Sequence, residues 1–299
     1  MSVIIRTEEL SKHYGSFIAL SPLNLEVNKG EVLGYLGPNG AGKTVTIRLL
    51  LGLIKPTSGR AEIFGLDTQK KLVDIHKRIA YVPGETSLWP SLTGRETIEL
   101  LGNLHGGYDK PYMEKLIKRF QFAENKKVRT YSKGNKQKVN IIAAFMTRAD
   151  LLILDEPTSG LDPLMEQAFR ETVLEAKENG QTVFLSSHIL DEVEALCDRV
   201  AILRAGHLIE VGTLSEMRHL SALTVEATFL GDPPKVAKLK GVTNVSVTGH
   251  VLKCQIQGPI DELLSVLAAA KPTSLLSREP SLEELFLSLY GEKETTNQK

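Results

Sequence analysis

The chain has 299 residues and no formal net charge, because 36 Lys and Arg balance 36 Asp and Glu. Proteins that bind nucleic acid usually carry a basic excess, and this chain has none. Its 42% hydrophobic and 24% charged residues are typical of a globular protein with one large and one small domain, or two medium ones. No apolar run is long enough to span a bilayer and the N-terminus has no signal-peptide pattern, so we expect a cytosolic chain.

Apolar runs and helical patterns alternate along the first two thirds of the chain. The runs at residues 32–37, 151–155 and 182–186 are mostly apolar, with apolar residues on both faces. Strands buried on both faces have this pattern, which is typical of a mostly parallel sheet covered by helices. Asp162 and Pro163 predict the start of a helix, and Gly180 predicts its end. The pattern favours an α/β fold.

The character becomes helical between about residues 88 and 148. Thr93 and Glu96 have the spacing of a capping box, which opens a helix. Further helices are predicted at residues 111–120 and 136–147 from their apolar periodicity. We interpret this region as a helical insertion between elements of the sheet.

The pattern changes again after about residue 218. Alternating apolar residues predict a strand at 223–229, and two short apolar segments around a Thr-Gly-His turn predict a hairpin at 245–256. Helices are predicted at 259–270 and 281–290, the second with a capping box. We therefore expect a small accessory α+β domain over residues 219–291 and a disordered tail at 292–299.

The two cysteines, Cys197 and Cys254, lie far apart in the sequence and lack metal-ligand spacing. Reduced, buried thiols are the favoured interpretation, and a disulfide between them is the alternative.

Residues 37–44, GPNGAGKT, match the phosphate-binding pattern G-x-x-x-x-G-K-[ST] between an apolar strand and a helix. The glycines let successive backbone N–H groups face a phosphate, and the positive end of the helix dipole points at the same anion. Lys43 would reach the β- and γ-phosphates, and the Thr44 hydroxyl would bind Mg²⁺. The residues expected to bind ATP here are Gly37, Pro38, Asn39, Gly40, Ala41, Gly42, Lys43, Thr44 and, within the helix, Thr46.

A second candidate site lies at the end of the apolar run 151–154, where two carboxylates follow. Ligands bind at the carboxyl edge of such sheets. Asp155 would hold Mg²⁺, and Glu156 would orient or deprotonate the attacking water. Together with the phosphate-binding loop, these residues predict an ATPase that uses Mg²⁺.

The two sites belong to a longer series of motifs. The phosphate-binding loop is followed by YSKGN at 131–135, the acidic strand end at 152–157, SGLD at 159–162 and His188. In this order the chain resembles, over about residues 3–215, the ATP-binding cassette (ABC) of membrane transporters. The resemblance implies a P-loop NTPase domain over residues 1–218, with an antiparallel N-terminal β-subdomain and a helical subdomain at about 88–148.

The resemblance also implies ATP-binding residues outside the phosphate-binding loop. Tyr14 lies at the aromatic position that stacks on adenine. Ser132 and Gly134 match the signature that closes over the nucleotide from the opposite subunit. Three neighbouring positions depart from the commonest form of that signature: Tyr131, Lys133 and Asn135.

Further roles implied by the resemblance concern catalysis and communication. His188 lies at the position of the switch histidine that senses the γ-phosphate, so Glu156, His188 and Lys43 are assigned to catalysis. Asp162 is assigned to the ATP site and to communication between two sites, although it is also explained as a helix cap.

One segment departs from the family pattern. The family usually has a Gln that contacts Mg²⁺ and relays the nucleotide state to the membrane subunit, and here that position is Gly84. Glu85 is the candidate to replace it as a metal ligand through a water. Trp89, the only Trp, is interpreted either as part of a partner-binding surface or as a core anchor.

The resemblance implies partners as well. Two copies, or this chain and a paired ABC subunit, would pack head to tail so that each completes the other's site. Integral membrane permease subunits would hold the pair at the cytoplasmic face of the cell membrane, with no nucleic acid involved. The signature form and the C-terminal domain resemble the ABC-2 type exporter branch, which includes drug, antibiotic and lipid efflux. An importer subunit or a non-transport regulatory ATPase are the alternatives.

Overall fold

The computed structural model describes residues 2–219, 223–278 and Glu284. The chain divides into two compact units, Met1–Val211 and Gly212–Lys299. The predicted domain limits, 1–218 and 219–291, stay a prediction. The two compact units divide after Val211, seven residues before the predicted boundary at residue 218. Within the described residues, no helix has the length and apolar character needed to cross a membrane.

The first unit contains two β-sheets and most of the described helices. Its described strands are β1 (Val3–Tyr14), β2 (Phe17–Asn28), β3 (Val32–Leu36), β4 (Ser58–Ile63), β5 (Leu66–Asp67), β6 (Ile79–Val82), β7 (Leu151–Asp155), β8 (Thr182–Ser187), β9 (Arg199–Arg204) and β10 (His207–Thr213), the last of which runs past Val211. Its described helices are α1 (Lys43–Leu50), α2 (Leu72–His76), α3 (Gly94–His105), α4 (Lys110–Arg119), α5 (Lys133–Phe145), α6 (Pro163–Glu178) and α7 (Leu190–Leu196).

A six-stranded sheet in the order β10-β9-β3-β8-β7-β6 forms the centre of this unit. The pairs from β9 to β6 are parallel. Alternate side chains of β7 enter two different cores, with Leu152 and Leu154 in one and Leu151 and Ile153 in the other. Because both faces are covered, the strands are mostly apolar and lack a polar face, which confirms the predicted buried parallel sheet.

The other parts of the first unit follow the predicted architecture. A four-stranded sheet in the order β2-β1-β4-β5 is antiparallel, which confirms the N-terminal β-subdomain. Helices α3, α4 and α5 form the helical insertion. The capping box of α3 is present, since Glu96 N donates to the Thr93 hydroxyl and Thr93 N donates to the Glu96 carboxylate.

Two helix boundaries show what the caps decide. Helix α6 begins after Asp162, whose carboxylate accepts a hydrogen bond from Met165 N at 3.0 Å. Helix α5 begins three residues before its predicted start at residue 136, because the Ser132 hydroxyl accepts from Asn135 N at 3.3 Å and caps the helix there.

The second unit contains α8 (Leu214–His219), β11 (Leu223–Thr228), β12 (Val242–Thr248), β13 (Val251–Ile256), α9 (Asp261–Ala269) and β14 (Ser274–Arg278). Its antiparallel sheet has the order β12-β13-β11-β14. The predicted hairpin is confirmed, because β12 and β13 pair around a turn in which Gly249 has φ +57°. Only Glu284 of the helix predicted at 281–290 is described, and the tail predicted at 292–299 lies outside the described residues. Cys197 and Cys254 are free thiols, as expected.

Candidate nucleotide site

The loop between β3 and α1 depends on its glycines. Gly40 and Gly42 have φ of +79° and +107°, a left-handed conformation that glycine adopts without strain. A Cβ on Gly37 would lie 2.5 Å from the Leu203 carbonyl oxygen, and one on Gly42 would lie 2.7 Å from that of Ala19. Side chains at 37 and 42 would therefore collide with backbone, and the loop keeps the open form that a phosphate-binding loop needs.

Lys43 places a positive charge inside this loop. Its side chain is 5% exposed, and Nζ donates to the Gly37 carbonyl at 2.6 Å and the Pro38 carbonyl at 3.1 Å. The same atom lies 3.4 Å from Glu156 Oε1. A buried ammonium group needs acceptors and an opposite charge, and this one has both.

Asp155 and Thr44 meet at the base of the loop. The Thr44 hydroxyl donates to Asp155 Oδ2 at 3.0 Å. The other carboxylate oxygen, Oδ1, is buried without a hydrogen-bond partner. Burial raises the pKa of Asp155, and the neighbouring Thr44 and Ser186 hydroxyls oppose that shift. A buried oxygen without a partner is costly unless a ligand completes it.

These two side chains fit Mg²⁺. The part of the chain that the structure describes contains no cluster of three or more His, Cys, Asp or Glu that could hold a metal by itself. Mg²⁺ does not need such a cluster, because it commonly keeps several waters and takes one or two carboxylates together with substrate phosphates. The free Oδ1 of Asp155 and the neighbouring Thr44 hydroxyl are a donor set of that kind.

Glu156 follows Asp155 in an unusual backbone conformation, with φ +48°. A non-glycine residue in this region costs about 1 kcal/mol or more and is found mostly where function requires it. Its backbone N–H donates to the Ser186 carbonyl at 2.9 Å, which links it to the neighbouring strand. Its Oε1 lies 3.3 Å from His188 Nδ1. Lys43 Nζ and His188 Nδ1 therefore lie close to the same carboxylate oxygen, Oε1 of Glu156.

Thr46, which is assigned to the ATP site from the sequence, has a fully buried side chain. Its hydroxyl donates to the Gly42 carbonyl at 3.1 Å and shares a hydrogen bond with the Tyr35 hydroxyl. These bonds link α1 to the phosphate-binding loop, and the ATP-binding role of Thr46 stays a prediction.

Gly84 lies directly beside Asp155. A Cβ at this position would lie 3.2 Å from the Asp155 carbonyl oxygen and 3.7 Å from its carboxylate. Glu85 is exposed, and its assignment as a metal ligand stays a prediction. Trp89 is 44% exposed, which favours the surface interpretation over the core anchor.

The signature and the SGLD segment pack together within the chain. A Cβ on Gly134 would lie 2.3 Å from the Gly160 carbonyl oxygen. Lys133 Nζ donates to the Ser159 hydroxyl at 2.7 Å. The Ser132 side chain, which caps α5, is exposed. The N-terminus of α5 is therefore fixed against the segment that leads to Asp162.

Tyr14 is the last residue of β1 and lies next to the turn of the β1–β2 hairpin. Its side chain is 50% exposed, and Lys12 Nζ lies 5.0 Å from the ring centroid. Phe17, its cross-strand partner, is also exposed and was not predicted. Contacts join Lys43, Thr44, Asp155, Glu156 and His188 into one cluster, whereas Tyr14, Ser132, Gly134 and Asp162 make their contacts in other segments.

Several hydrogen-bonded polar residues outside this cluster are not predicted from the sequence. Thr86, Gln137 and Asn140 share hydrogen bonds, and the Ser187 hydroxyl donates to Glu192 at 2.6 Å. Gln137, Asn140 and Glu192 are buried. Polar residues on a helix face that is otherwise apolar are the signal that could have identified them.

Comparison with known proteins agrees with this geometry. The ABC transporter family model matches residues 20–159. The chain is similar to the linearmycin resistance ATP-binding protein LnrL of Bacillus subtilis (strain 168), with 34% identity over 96% of this chain and 98% of the relative. It is also similar to the bacitracin transport ATP-binding protein BcrA of Bacillus licheniformis, with 43% identity over 70% of each chain.

A solved structure described as the ATP-binding subunit of an ABC transporter matches with a TM-score of 0.66 and 33% identity. The match covers 72% of this chain and 92% of that one. The chain therefore belongs to the family of ABC transporter ATP-binding subunits. It is a nucleotide-binding ATPase of the P-loop cassette fold, in a family whose members work with membrane permease subunits.

Proposed function

We propose that this subunit binds Mg-ATP at the cluster around Glu156 and uses its hydrolysis to power export through separate membrane permeases. The observation that carries the proposal is the convergence on Glu156 Oε1. This oxygen lies 3.4 Å from Lys43 Nζ and 3.3 Å from His188 Nδ1, and the preceding residue, Asp155, has a buried carboxylate oxygen without a hydrogen-bond partner.

The phosphate-binding loop would hold the triphosphate. Backbone N–H groups of residues 37–44 face the phosphates, and Lys43 Nζ exchanges its carbonyl contacts for β- and γ-phosphate oxygens. Asp155 and Thr44 would hold Mg²⁺, which would supply positive charge against the phosphates. The chain's own contribution is a fixed set of donors that needs little rearrangement as charge develops.

The chemical step belongs to Glu156. Its carboxylate accepts a proton from water as the water oxygen bonds to the γ-phosphorus and the bond from that phosphorus to the ADP oxygen breaks. His188 holds the Glu156 carboxylate through Nδ1 and senses the γ-phosphate. A general base held in position in this way contributes roughly 10²–10⁴-fold to a rate.

A second subunit would complete each site. Ser132 and Gly134 lie at the N-terminus of α5, where unpaired N–H groups and the helix dipole favour an anion. Tyr14 would stack on adenine, and Asp162 would couple the two sites. We propose a head-to-tail homodimer or a pair with a related ABC subunit, since each chain supplies one loop and one signature.

The direction of transport rests on the relatives. LnrL is named for linearmycin resistance and BcrA for bacitracin transport. Export of an antibiotic fits both names. We propose a drug, antibiotic or lipid exporter at the cytoplasmic face of the membrane. Inverted vesicles that carry the subunit and its permease should accumulate cargo with ATP. Loss of preloaded cargo from those vesicles would indicate an importer, and the absence of cargo movement would indicate a regulator.

The first test is Glu156→Gln. The variant should bind Mg-ATP and form a stable dimer, while its turnover should fall by about 10²-fold or more, because an amide cannot accept the water proton. ATPase rate, ATP binding and mass by light scattering are the measurements. Glu178→Gln, an exposed change on α6, is the matched control. Normal turnover in Glu156→Gln would refute the general-base assignment. Failure of the wild-type chain to bind Mg-ATP would refute the nucleotide site.

A further inference from the structure

The segment at residues 83–89 is linked by contacts to Asp155 and Pro157, the residues immediately before and after Glu156. On one side, the Gly84 backbone packs against Asp155. On the other, Gln137 Nε2 donates to the Pro157 carbonyl at 3.0 Å, and Gln137 Oε1 accepts from the Thr86 hydroxyl at 3.0 Å. The segment therefore contacts both neighbours of the proposed general base, once directly and once through a side chain of α5.

Asn140 completes a ring of hydrogen bonds around this attachment. Its Nδ2 donates to the Thr86 hydroxyl at 2.8 Å and lies 3.5 Å from Gln137 Oε1. Gln137 and Asn140 are three residues apart on α5, so they share one face of the helix. Only 2% of Gln137 and 6% of Asn140 are exposed.

A buried ring of this kind resists partial rupture. If one member moved alone, a buried donor or acceptor would lose its partner, which is more unfavourable than the gain from a typical hydrogen bond. Pro157, helix α5 and the segment at 83–89 are therefore expected to shift as one body. The side chain at position 84 is absent, so it cannot provide this connection itself.

We propose that Thr86, Gln137 and Asn140 are positioning residues that transmit the nucleotide-dependent movement of Pro157 to the segment at residues 83–89. Gln137 holds the Pro157 carbonyl, and Thr86 holds the segment. This inference rests on the proposed function, because the movement begins with Mg-ATP bound beside Glu156.

The chain contains its own reporter of this movement. Trp89 is the only Trp and lies three residues after Thr86, 44% exposed. Its fluorescence should change when Mg-ATP binds to the full-length chain. In Thr86→Val, which removes the hydroxyl but keeps the side-chain shape, that response should fall by about fivefold or more. Equilibrium dialysis should give ATP affinity within about twofold of wild type.

Thr86→Ser is the matched control, because it keeps the hydroxyl and should keep the response. Gln137→Ala tests the other end of the ring, with the exposed Gln167→Ala on α6 as its control. A normal Trp89 response in Thr86→Val or Gln137→Ala overturns the proposal, as does ATP binding that leaves wild-type Trp89 unchanged. Absence of ATP binding in the wild type would instead refute the nucleotide site on which the inference rests.

Discussion

The histidine of the cluster is held in position by a buried carboxyl. Glu192, in the first turn of α7, accepts a hydrogen bond from the Ser187 hydroxyl at 2.6 Å. The same Ser187 oxygen accepts from Ile189 N at 3.0 Å. These two bonds fix the chain on both sides of His188, whose Nδ1 contacts Glu156. The geometry of the proposed catalytic residues therefore depends on a residue that does not touch them.

Burial of Glu192 has a consequence for stability. Burial raises the pKa of this carboxyl above its ordinary value of 4.5, and the hydrogen bond from Ser187 opposes the shift. A raised pKa in the folded state means that the contribution to stability is complete below the unfolded pKa. It is lost as the pH rises through the folded pKa.

Glu192→Gln removes this titration while keeping an acceptor for Ser187. We therefore expect the free energy of unfolding of the variant to gain on wild type as the pH rises above about 4.5, by up to about 1.4 kcal/mol per pH unit. Urea unfolding at several pH values measures the difference. Asp155 titrates in both proteins, so its effect cancels. A difference that stays constant with pH would contradict the prediction.

At the scale of elements, the contact between α5 and the SGLD segment depends on Gly134. Alanine in place of glycine normally stabilises a helix by about 0.5–1 kcal/mol. Here the new Cβ would lie 2.3 Å from the Gly160 carbonyl oxygen, so backbone would have to move. We expect Gly134→Ala to destabilise the protein by about 1–3 kcal/mol and to reduce ATP turnover.

Chemical denaturation and the ATPase rate check this prediction. Gly231→Ala is the control, because a Cβ at Gly231 would meet nothing within 4 Å and its φ is not positive. If Gly134→Ala were as stable as the control, the close approach of the two segments would not be a constraint on α5.

The elements that could be predicted from the sequence are those specified by local patterns. The strand at 151–155 is apolar on both faces because both are buried, and Asp162 caps α6 with its own side chain. The ring of Thr86, Gln137 and Asn140 could not be predicted, because the two bonds made by Thr86 join residues more than fifty positions apart. The predicted start of α5 is three residues too late, because the sequence pattern indicates a binding role for Ser132 and does not reveal that this residue also caps the helix.

At the scale of the whole molecule, the two compact units have separate cores. The cores of the first unit contain no buried residue beyond Leu203, and the core of the second begins at Val225. Every residue of the cluster around Glu156 belongs to the first unit. Because a compact unit with its own core can in principle fold alone, nucleotide binding should not require the second unit.

A chain that ends at His219 tests this independence. It should unfold in a single cooperative transition and bind Mg-ATP within about threefold of the full-length affinity, since it keeps both cores of the first unit. Calorimetry and equilibrium dialysis are the measurements. Lys43→Ala in the shortened chain should abolish binding, which would show that the nucleotide occupies the same loop. A broad transition or lost binding would mean that the second unit stabilises the site.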